Sequence, residues 1–240
     1  MKKINGIITS VVLMMLLGCL TMINAQSNQG TMALSITDVS SDNPQVAAMS
    51  DMLMGNETTI YFKDGQSLTK MNMMGGMVKI DVKVDAEENS DMLMDAMGNK
   101  IWVSSTKAEN DLARAGVDNP LEEMDISYDQ NDTKTIAGYE CDKMTVTFPD
   151  QDGAALEAYI TEDLQINAPV IQGVEMEGFA GFPLEYSFNN GMMNMTITTT
   201  SFEPTVDETV FDLNTSGYQK MTMQEFMDMM SNMGGGGFGF

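Results

Sequence analysis

Residues 78–84 read V-K-I-D-V-K-V, and this alternation of apolar and charged side chains decides the fold. Successive side chains of a β-strand point to opposite faces of a sheet, so a period of two predicts a strand with one buried and one solvated face. The same period recurs at 144–148, 156–161, 184–188 and 193–197. Strands of this kind are typical of an antiparallel sheet that faces water on one side.

Turn residues and further apolar runs extend this pattern. Glycine-containing segments at 63–65, 74–76, 98–99 and 190–191 separate neighbouring strands and are typical of hairpin turns. We therefore expect one antiparallel sheet of about eight to ten strands, which curls and either is covered by helices or encloses a cavity. Further strands are predicted at 31–39, 58–63, 67–73, 101–104 and 125–128.

Helical periodicity is sparse in this chain. Short helices are predicted at 45–54, 107–115 and 222–233, and in the last of these the residues Met223, Met227 and Met230 recur at i, i+4 and i+7. Residues 234–240 are rich in glycine and are expected to form a flexible tail. No linker divides the remainder, so we predict a single β-rich domain of the α+β class over residues 26–233.

Residues 1–25 have the features of a secretory signal peptide, with a basic start at residues 2–3 and an apolar segment too short to span a membrane. The sequence favours cleavage after Ala25, which predicts a periplasmic or secreted protein without a transmembrane span. As an alternative, residues 16–19 read L-L-G-C and resemble a lipobox, which would leave a protein anchored to the membrane by a lipidated Cys19.

The composition is strongly acidic and excludes several classes of function. Loss of residues 1–25 would leave 10 Lys and Arg against 35 Asp and Glu, a net charge of −25. Nucleic-acid binding requires a cationic surface, so it is excluded as a function. Binding to anionic membrane surfaces is disfavoured for the same reason. The acidic surface keeps an exported protein soluble, and it also attracts cations.

The chain contains 27 methionines and no histidine. Catalysis by Ser-His-Asp or Cys-His groups is therefore impossible, and no G-x-S-x-G, P-loop or dinucleotide-binding motif is present. Once residues 1–25 are removed, Cys141 has no second cysteine to pair with, and we predict that it is a buried structural thiol. We predict that the protein is not an enzyme and carries no cofactor.

Residues 135–141 read T-I-A-G-Y-E-C and resemble the I-A-G-Y-x-C signature of a family of exported, methionine-rich bacterial proteins of unknown function. Residues 61–65, 178–184 and 217–221 resemble other segments of this family in the same order. The family is similar to the periplasmic lipoprotein carriers, in which a half-barrel of antiparallel strands closed by helices holds acyl chains. The resemblance therefore implies a lipoprotein-carrier-like half-barrel, with a role in ligand binding or as a chaperone.

A curved sheet lined by methionine and aromatic side chains predicts a binding site for a lipid or another hydrophobic ligand, because methionine can re-pack around varied shapes. Two phenylalanines next to glycines, Phe179 and Phe182, are expected to form a mobile flap at the mouth of this site. The predicted ligand-binding residues are Met144, Phe179, Phe182, Tyr186, Phe188, Met193 and Met195.

Two alternative functions remain open. Thioether sulfur is a soft ligand suited to Cu(I) or Ag(I), and the candidate metal ligands are Met71, Met73, Met74 and Met77, which lie within seven residues. The alternative is that these methionines are core packing, which the strand and helix spacing of the other methionines favours. The third possibility is a structural protein of the cell envelope that binds a protein partner rather than a small ligand.

Overall fold

The computed structural model describes residues 26–41, 44, 50, 52–115, 125–147, 155–166, 179–189 and 193–232. The predicted signal peptide, with Cys19, and the predicted tail at 234–240 lie outside these residues. The strands are β1 (Gln26–Ser27), β2 (Gln29–Ser40), β3 (Glu57–Lys63), β4 (Gln66–Met73), β5 (Val78–Val84), β6 (Ser90–Ala96), β7 (Asn99–Ser105), β8 (Asp125–Ile136), β9 (Tyr139–Thr147), β10 (Ala155–Thr161), β11 (Gln165–Ile166), β12 (Phe182–Asn189), β13 (Asn194–Glu203) and β14 (Gln219–Met221).

Twelve of these strands form one sheet, in the order β14-β7-β6-β5-β4-β3-β2-β13-β12-β10-β9-β8. Two antiparallel meanders, β2 to β7 and β8 to β13, are joined where β13 pairs with β2. The short β14 pairs in parallel with β7 at one edge, and β1 and β11 form a separate parallel pair. The predicted fold class, a curved antiparallel sheet with a few short helices, is confirmed.

Hairpins with two-residue turns connect several of the strands. Asp64 and Gly65 between β3 and β4, and Met97 and Gly98 between β6 and β7, all have positive φ angles. Two consecutive residues with positive φ define the type I′ turn, whose twist matches that of the flanking strands. The predicted turn at 63–65 is confirmed, the one at 98–99 begins one residue earlier, and the one at 190–191 lies outside the described residues.

The register places apolar residues on a single face of the sheet, which we call the inner face and which carries Met32, Ile60, Met71, Ile80 and Met94. The opposite face is the outer face. The strand β8 approaches β13, and the start of β9 packs on residues of β2 and β3. These contacts indicate that the sheet curls towards the inner face. A twisted sheet of this many strands is expected to curl in this way.

The centre of the inner face is sealed by a dense core. Met32, Phe62 and Leu184 have no exposed surface, and the ring of Phe202 stacks on that of Phe62 with 6.3 Å between centroids. Gly30 on β2 leaves room for these rings, because a Cβ atom there would lie 2.8 Å from Cζ of Phe62. The buried members of this central cluster are Met32, Leu34, Ile60, Phe62, Ile136, Cys141, Leu164, Phe182 and Leu184.

The I-A-G-Y-x-C segment forms the hairpin between β8 and β9. Ala137 and Gly138 have φ angles of 49° and 90°, while Ile136 and Tyr139 pair across the turn. The Tyr139 ring meets Phe202 edge to face at 5.9 Å, and Cys141 is buried in the central cluster. The segment therefore packs the β8–β9 hairpin onto the central cluster, and the prediction that Cys141 is a buried structural thiol is confirmed.

Residues 204–218, which we call the strap, run from β13 across the outer face to β14. The hydroxyl of Thr31 on β2 donates to the carbonyl of Thr205 at 3.0 Å, and Lys63 on β3 pairs with Glu208. Lys83 on β5 donates to the carbonyl of Phe211. The strap then reaches β7, where Lys100 lies over the ring of Tyr218. Outer-face residues beneath its path, Leu68 and Leu93, are buried.

Two helices are described in full, α1 (Lys107–Ala115) and α2 (Met223–Asn232). Each begins with a capping box, in which Thr106 and Glu109, or Thr222 and Glu225, exchange hydrogen bonds between side chain and backbone.

The predicted apolar face of α2 is only partly correct. Met227 is 42% exposed, and the half-buried residues are Met223, Phe226 and Met229. Among the described side chains of α2, the prediction thus holds for Met223 and fails for Met227, and the side chain of Met230 is not among them. Of the helix predicted at 45–54, residues 50, 52 and 53 are helical, and most of its other residues lie outside the described part of the chain.

Candidate apolar binding surface

The strands β4 to β7 carry a row of methionine and aliphatic side chains on the inner face. Met71 lies opposite Ile80, Ile80 opposite Met94, and Met94 opposite Ile101. Directly opposed residues on one face of an antiparallel sheet have their Cβ atoms about 5 Å apart, so these side chains are in contact range. The row continues the apolar surface from the central cluster towards the β7 edge.

Burial varies within this part of the surface, which we call the methionine flank. Val78, Ile80 and Val82 are at most 6% exposed and form its floor. The side chains packed around that floor are only partly buried. They are Met71, Met73, Met74, Met92, Met94 and Ala96.

The structure brings three of the four predicted metal ligands, Met71, Met73 and Met74, to the methionine flank. Met77 is 50% exposed and is not part of this cluster. Met92 and Met94 of β6 join the cluster instead. Neither methionine was among the predicted ligands, because no strand was predicted at 90–96; their spacing of two was the available signal.

The strands β8 to β13 carry a second apolar surface, which we call the aromatic flank. Met144 and Ala158 lie side by side, and Tyr186 lies next to Ala158 and opposite Ile197. A parallel row runs from Leu156 through Phe188 to Met195. The buried floor of the flank consists of Met144, Val146, Ala158 and Ile160.

The predicted ligand-binding residues divide into two groups. Met144 and Phe182 are at most 2% exposed, and Phe182 belongs to the central cluster, so both serve as core rather than as an accessible wall. Phe179 and Tyr186 pack on the floor of the aromatic flank and remain partly exposed. Phe188, Met193 and Met195 are also half-buried, and Phe188 and Met195 are cross-strand neighbours.

The two phenylalanines of the predicted flap pack in different places. Phe182 is anchored as the first residue of β12, and a Cβ atom at Gly181 would lie 2.6 Å from the carbonyl oxygen of Thr161. Phe179 instead packs on the aromatic flank, and the N–H of Ala180 donates to the hydroxyl of Tyr128 on the edge strand β8 at 3.1 Å. Among the described residues, it is therefore Phe179 rather than Phe182 that packs over the floor of this flank.

Two hydroxyl groups lie within this apolar surface, and sequence reasoning predicted only one of the two residues. The Oγ1 atom of Thr199 is buried and has no hydrogen-bond partner. The hydroxyl of Tyr186 makes no hydrogen bond with the described residues, and burial raises the pKa of Tyr186 to about 12. Both groups are therefore neutral at physiological pH and able to donate a hydrogen bond.

The two lysines of β8 to β13 are both paired with carboxylates. Lys134 pairs with Glu185 at 2.6 Å and lies over the ring of Tyr159, whose hydroxyl donates to Asp132. Lys143 pairs with Glu157 at 3.2 Å. Burial, followed by the hydrogen bond to Asp132, raises the pKa of Tyr159 to about 12. These lysines stabilise the fold and leave the aromatic flank without an unpaired cation among the described residues.

Within the described part of the chain, His, Cys, Asp and Glu side chains form no group of three or more that could hold a metal ion. Within the same described part, no helix is both long enough and apolar enough to cross a membrane.

No protein-family model matches the sequence, and no curated protein matches it. Among solved structures, the lipoprotein LppX of Mycobacterium tuberculosis is 12% identical with a TM-score of 0.39, over 82% of this chain and 98% of LppX. The Pseudomonas aeruginosa MucA/MucB complex matches at 11% identity and a TM-score of 0.35, over 80% of this chain and 58% of the matched chain, less than two thirds of its length. LprF from Mycobacterium bovis matches at 14% identity and a TM-score of 0.27. The likeness is distant and carries no information about ligands.

Proposed function

We propose that the protein is a non-enzymatic, exported binder of an apolar ligand, held against the aromatic flank of the inner face. The observation that supports this most strongly is the contrast in burial along one continuous apolar face. Its centre is sealed by the central cluster, whereas Phe179, Tyr186, Phe188 and Met195 stay partly exposed at the flank. Monomeric proteins rarely expose large contiguous apolar patches, and the patches that they do expose are often binding sites.

The binding free energy would come from burial of ligand surface against these side chains, at about 25 cal/mol for each Å² removed from water. Phe179 supplies a cover on the open side, and Ala180 ties that cover to the edge strand through Tyr128. Partial coverage of this kind suits a ligand that must enter and leave. Catalysis has no place in this proposal, because the chain contains no histidine and the described lysines of β8 to β13 are paired.

The test is native mass spectrometry of the mature protein purified from its own cell envelope, followed by titration with the apolar fluorophore N-phenyl-1-naphthylamine. A co-purifying mass of several hundred daltons that leaves on organic extraction supports the proposal.

Met195→Asp should abolish fluorophore binding, because it places a charge on the aromatic flank. Asn194→Asp adds the same charge one residue away at an exposed position and should bind as the wild type does.

A protein that carries no such mass and does not bind the fluorophore would contradict the proposal. In that case the role as an interaction protein of the envelope would be favoured, and a protein partner should co-purify instead.

A soft-metal site at the methionine flank is a second candidate, favoured by one observation. Met92 and Met94 lie on the same face as Met71, Met73 and Met74, so five thioethers line one surface. Thioethers suit Cu(I) and Ag(I). Replacement of Met71 and Met94 by leucine preserves volume and should abolish stoichiometric Ag(I) binding measured by native mass spectrometry. Met77→Leu, at an exposed position outside this surface, should leave it unchanged.

A further inference from the structure

One buried hydroxyl on the inner face is left without a partner by the fold. Thr199 is 2% exposed, and its Oγ1 atom makes no hydrogen bond. Three neighbouring hydroxyls of β13 are engaged, since Thr196 bonds Ser187, Thr198 bonds Glu185, and Thr200 bonds the carbonyl of Ala33. Buried polar groups in folded proteins are almost always hydrogen-bonded, so an exception requires a specific explanation.

The position of Thr199 links it to Tyr186. On β13, Ile197 lies opposite Tyr186 of β12 and opposite Ile36 of β2, and Thr199, two residues on, lies opposite Leu34. No register shift separates 197 from 199, so both side chains share the inner face. Thr199 is therefore a diagonal neighbour of Tyr186, within reach of a long aromatic side chain. The Tyr186 hydroxyl likewise makes no hydrogen bond with the described residues.

The chemistry of this pair restricts the ligand. Two neutral hydroxyls in an apolar surface can donate to an acceptor such as a carbonyl oxygen. A carboxylate or phosphate buried there would need a cation, and the only lysines between residues 125 and 203, Lys134 and Lys143, are already paired with carboxylates. The net charge of the chain, −23, repels anions further.

We propose that Tyr186 and Thr199 donate hydrogen bonds to the carbonyl oxygen of the bound molecule, so that the ligand is an uncharged lipid ester. This inference rests on the proposed binding of an apolar ligand to the aromatic flank and names the chemical class of that ligand. The buried hydroxyl of Thr199, which has no partner within the fold, then gains one in the bound state.

The test uses three probes with long hydrocarbon chains: methyl oleate, which has an uncharged ester; oleate, which has a carboxylate; and 1-octadecene, which has no acceptor. Each displaces N-phenyl-1-naphthylamine from the purified full-length mature protein. Methyl oleate should bind about fivefold to tenfold more tightly than 1-octadecene, the gain expected from a net hydrogen bond. Oleate should bind more weakly than methyl oleate.

Variants then assign this preference to the two hydroxyls. Thr199→Val and Tyr186→Phe should each reduce the ratio of the affinity for methyl oleate to the affinity for 1-octadecene, because each removes one hydrogen-bond donor and keeps the apolar surface. Thr200→Val, whose hydroxyl is exposed and bonded to the backbone, should retain the preference. Thr199→Val should unfold at a urea concentration no lower than the wild type, because it removes an unpaired buried hydroxyl without changing volume.

Two results would overturn the inference. If methyl oleate and 1-octadecene bind equally, or if both hydroxyl variants keep the full ester preference, the hydroxyls do not contact the ligand, although the proposed apolar binding stands. If none of the three probes displaces the fluorophore and the protein carries no lipid, the proposed function fails and this inference fails with it.

Discussion

The Nζ atom of Lys83 donates a hydrogen bond of 2.9 Å to the backbone carbonyl oxygen of Phe211, which lies 128 residues further along the chain. Lys83 is a β5 residue that pairs with Leu68 of β4 on the outer face, and Phe211 belongs to the strap. The bond therefore fixes the strap over β4 and β5, where Leu68 has no exposed surface. Because the strap leads directly to β14, this contact also positions the strand that covers the β7 edge.

Lys83→Met should lower the free energy of unfolding by about 1 kcal/mol, since it removes the donor but keeps the apolar stem. Urea unfolding measured by far-UV circular dichroism gives this value. Lys79→Met is the matched control, because Lys79 is an exposed lysine of the same strand, and it should change stability by less than about 0.5 kcal/mol. Equal effects at both positions would show that the strap contact contributes nothing.

Phe211→Ala tests the strap by a different route. Phe211 is 4% exposed, and removal of a buried phenylalanine side chain costs about 3–5 kcal/mol. The expected result is a strongly lowered urea midpoint, accompanied by faster protease cleavage within the strap. If Phe211→Ala lowers the free energy of unfolding by less than about 1 kcal/mol, the contact between the strap and the outer face is not part of the core.

The β8–β9 hairpin supports a prediction about backbone strain. Ala137 has a φ of 49°, which is unfavourable for alanine and is tolerated by asparagine. Ala137→Asn should therefore raise the free energy of unfolding by about 0.5–1 kcal/mol. Gly138→Ala should lower it by about 1 kcal/mol or more, and a clash does not contribute, because nothing lies within 4 Å of a Cβ atom there. Calorimetric melting temperatures that move in the opposite directions would contradict the turn assignment.

Most of the sheet was predictable because its strands have one apolar and one polar face. The exceptions have a physical cause. Residues 91–95 read D-M-L-M-D, and the expected polar position between the two methionines is taken by Leu93, which is buried on the outer face. A strand buried on both faces loses its alternation, and β6 was not predicted for that reason. The covering strap is far away in sequence, so no local pattern reveals it.

Most residues of the candidate site could be predicted from the sequence. The sequence did not show which of them are fully buried and which stay partly exposed. The alternation placed Tyr186, Phe188 and Met195 correctly on apolar strand faces, whereas Met193 lies just before the first residue of β13. Phe182 follows the same pattern, yet it is buried in the central cluster, because the sheet curls and brings the β8–β9 hairpin near it. Thr199 was not predicted as a site residue, since a threonine in a strand is unremarkable until its unpaired hydroxyl is known.

Stability at alkaline pH should depend on Tyr186. Burial raises the pKa of Tyr186 to about 12, whereas a tyrosine in the unfolded chain titrates near 10. A raised pKa in the folded state means that the stability is fully present below about pH 10 and is lost as the pH rises towards 12, because only the unfolded chain then releases the proton. Urea unfolding at pH 9 and pH 11.5 measures this loss.

Tyr186→Phe should lose less stability over that interval than the wild type, by up to about 2 kcal/mol. Tyr159 and Cys141, whose pKa values are also raised, to about 12 and about 11, remain in the variant and contribute to the residual dependence. An unchanged pH dependence in Tyr186→Phe would mean that its hydroxyl is well solvated, and the aromatic flank would then be more open than described.

Cys141 should be unreactive in the folded protein. Its side chain has no exposed surface, and burial raises the pKa of its thiol to about 11, so that the reactive thiolate is scarce at pH 8. Reaction with 5,5′-dithiobis(2-nitrobenzoate) is expected only after unfolding in urea, at a rate limited by opening of the central cluster. Rapid labelling of the native protein would contradict the packing of the β8–β9 hairpin.

Phe179 and Phe182 are close in sequence but should respond differently to replacement by alanine. Phe182→Ala removes a central-cluster residue and should cost about 3–5 kcal/mol in unfolding free energy, because Phe182 is only 2% exposed. Phe179→Ala removes a partly exposed cover and should cost about 1–2 kcal/mol, yet weaken N-phenyl-1-naphthylamine binding severalfold. Paired urea and fluorescence titrations on both variants separate the two roles. If Phe179→Ala binds the fluorophore as the wild type does, Phe179 only caps the core, and the binding surface lies elsewhere on the inner face.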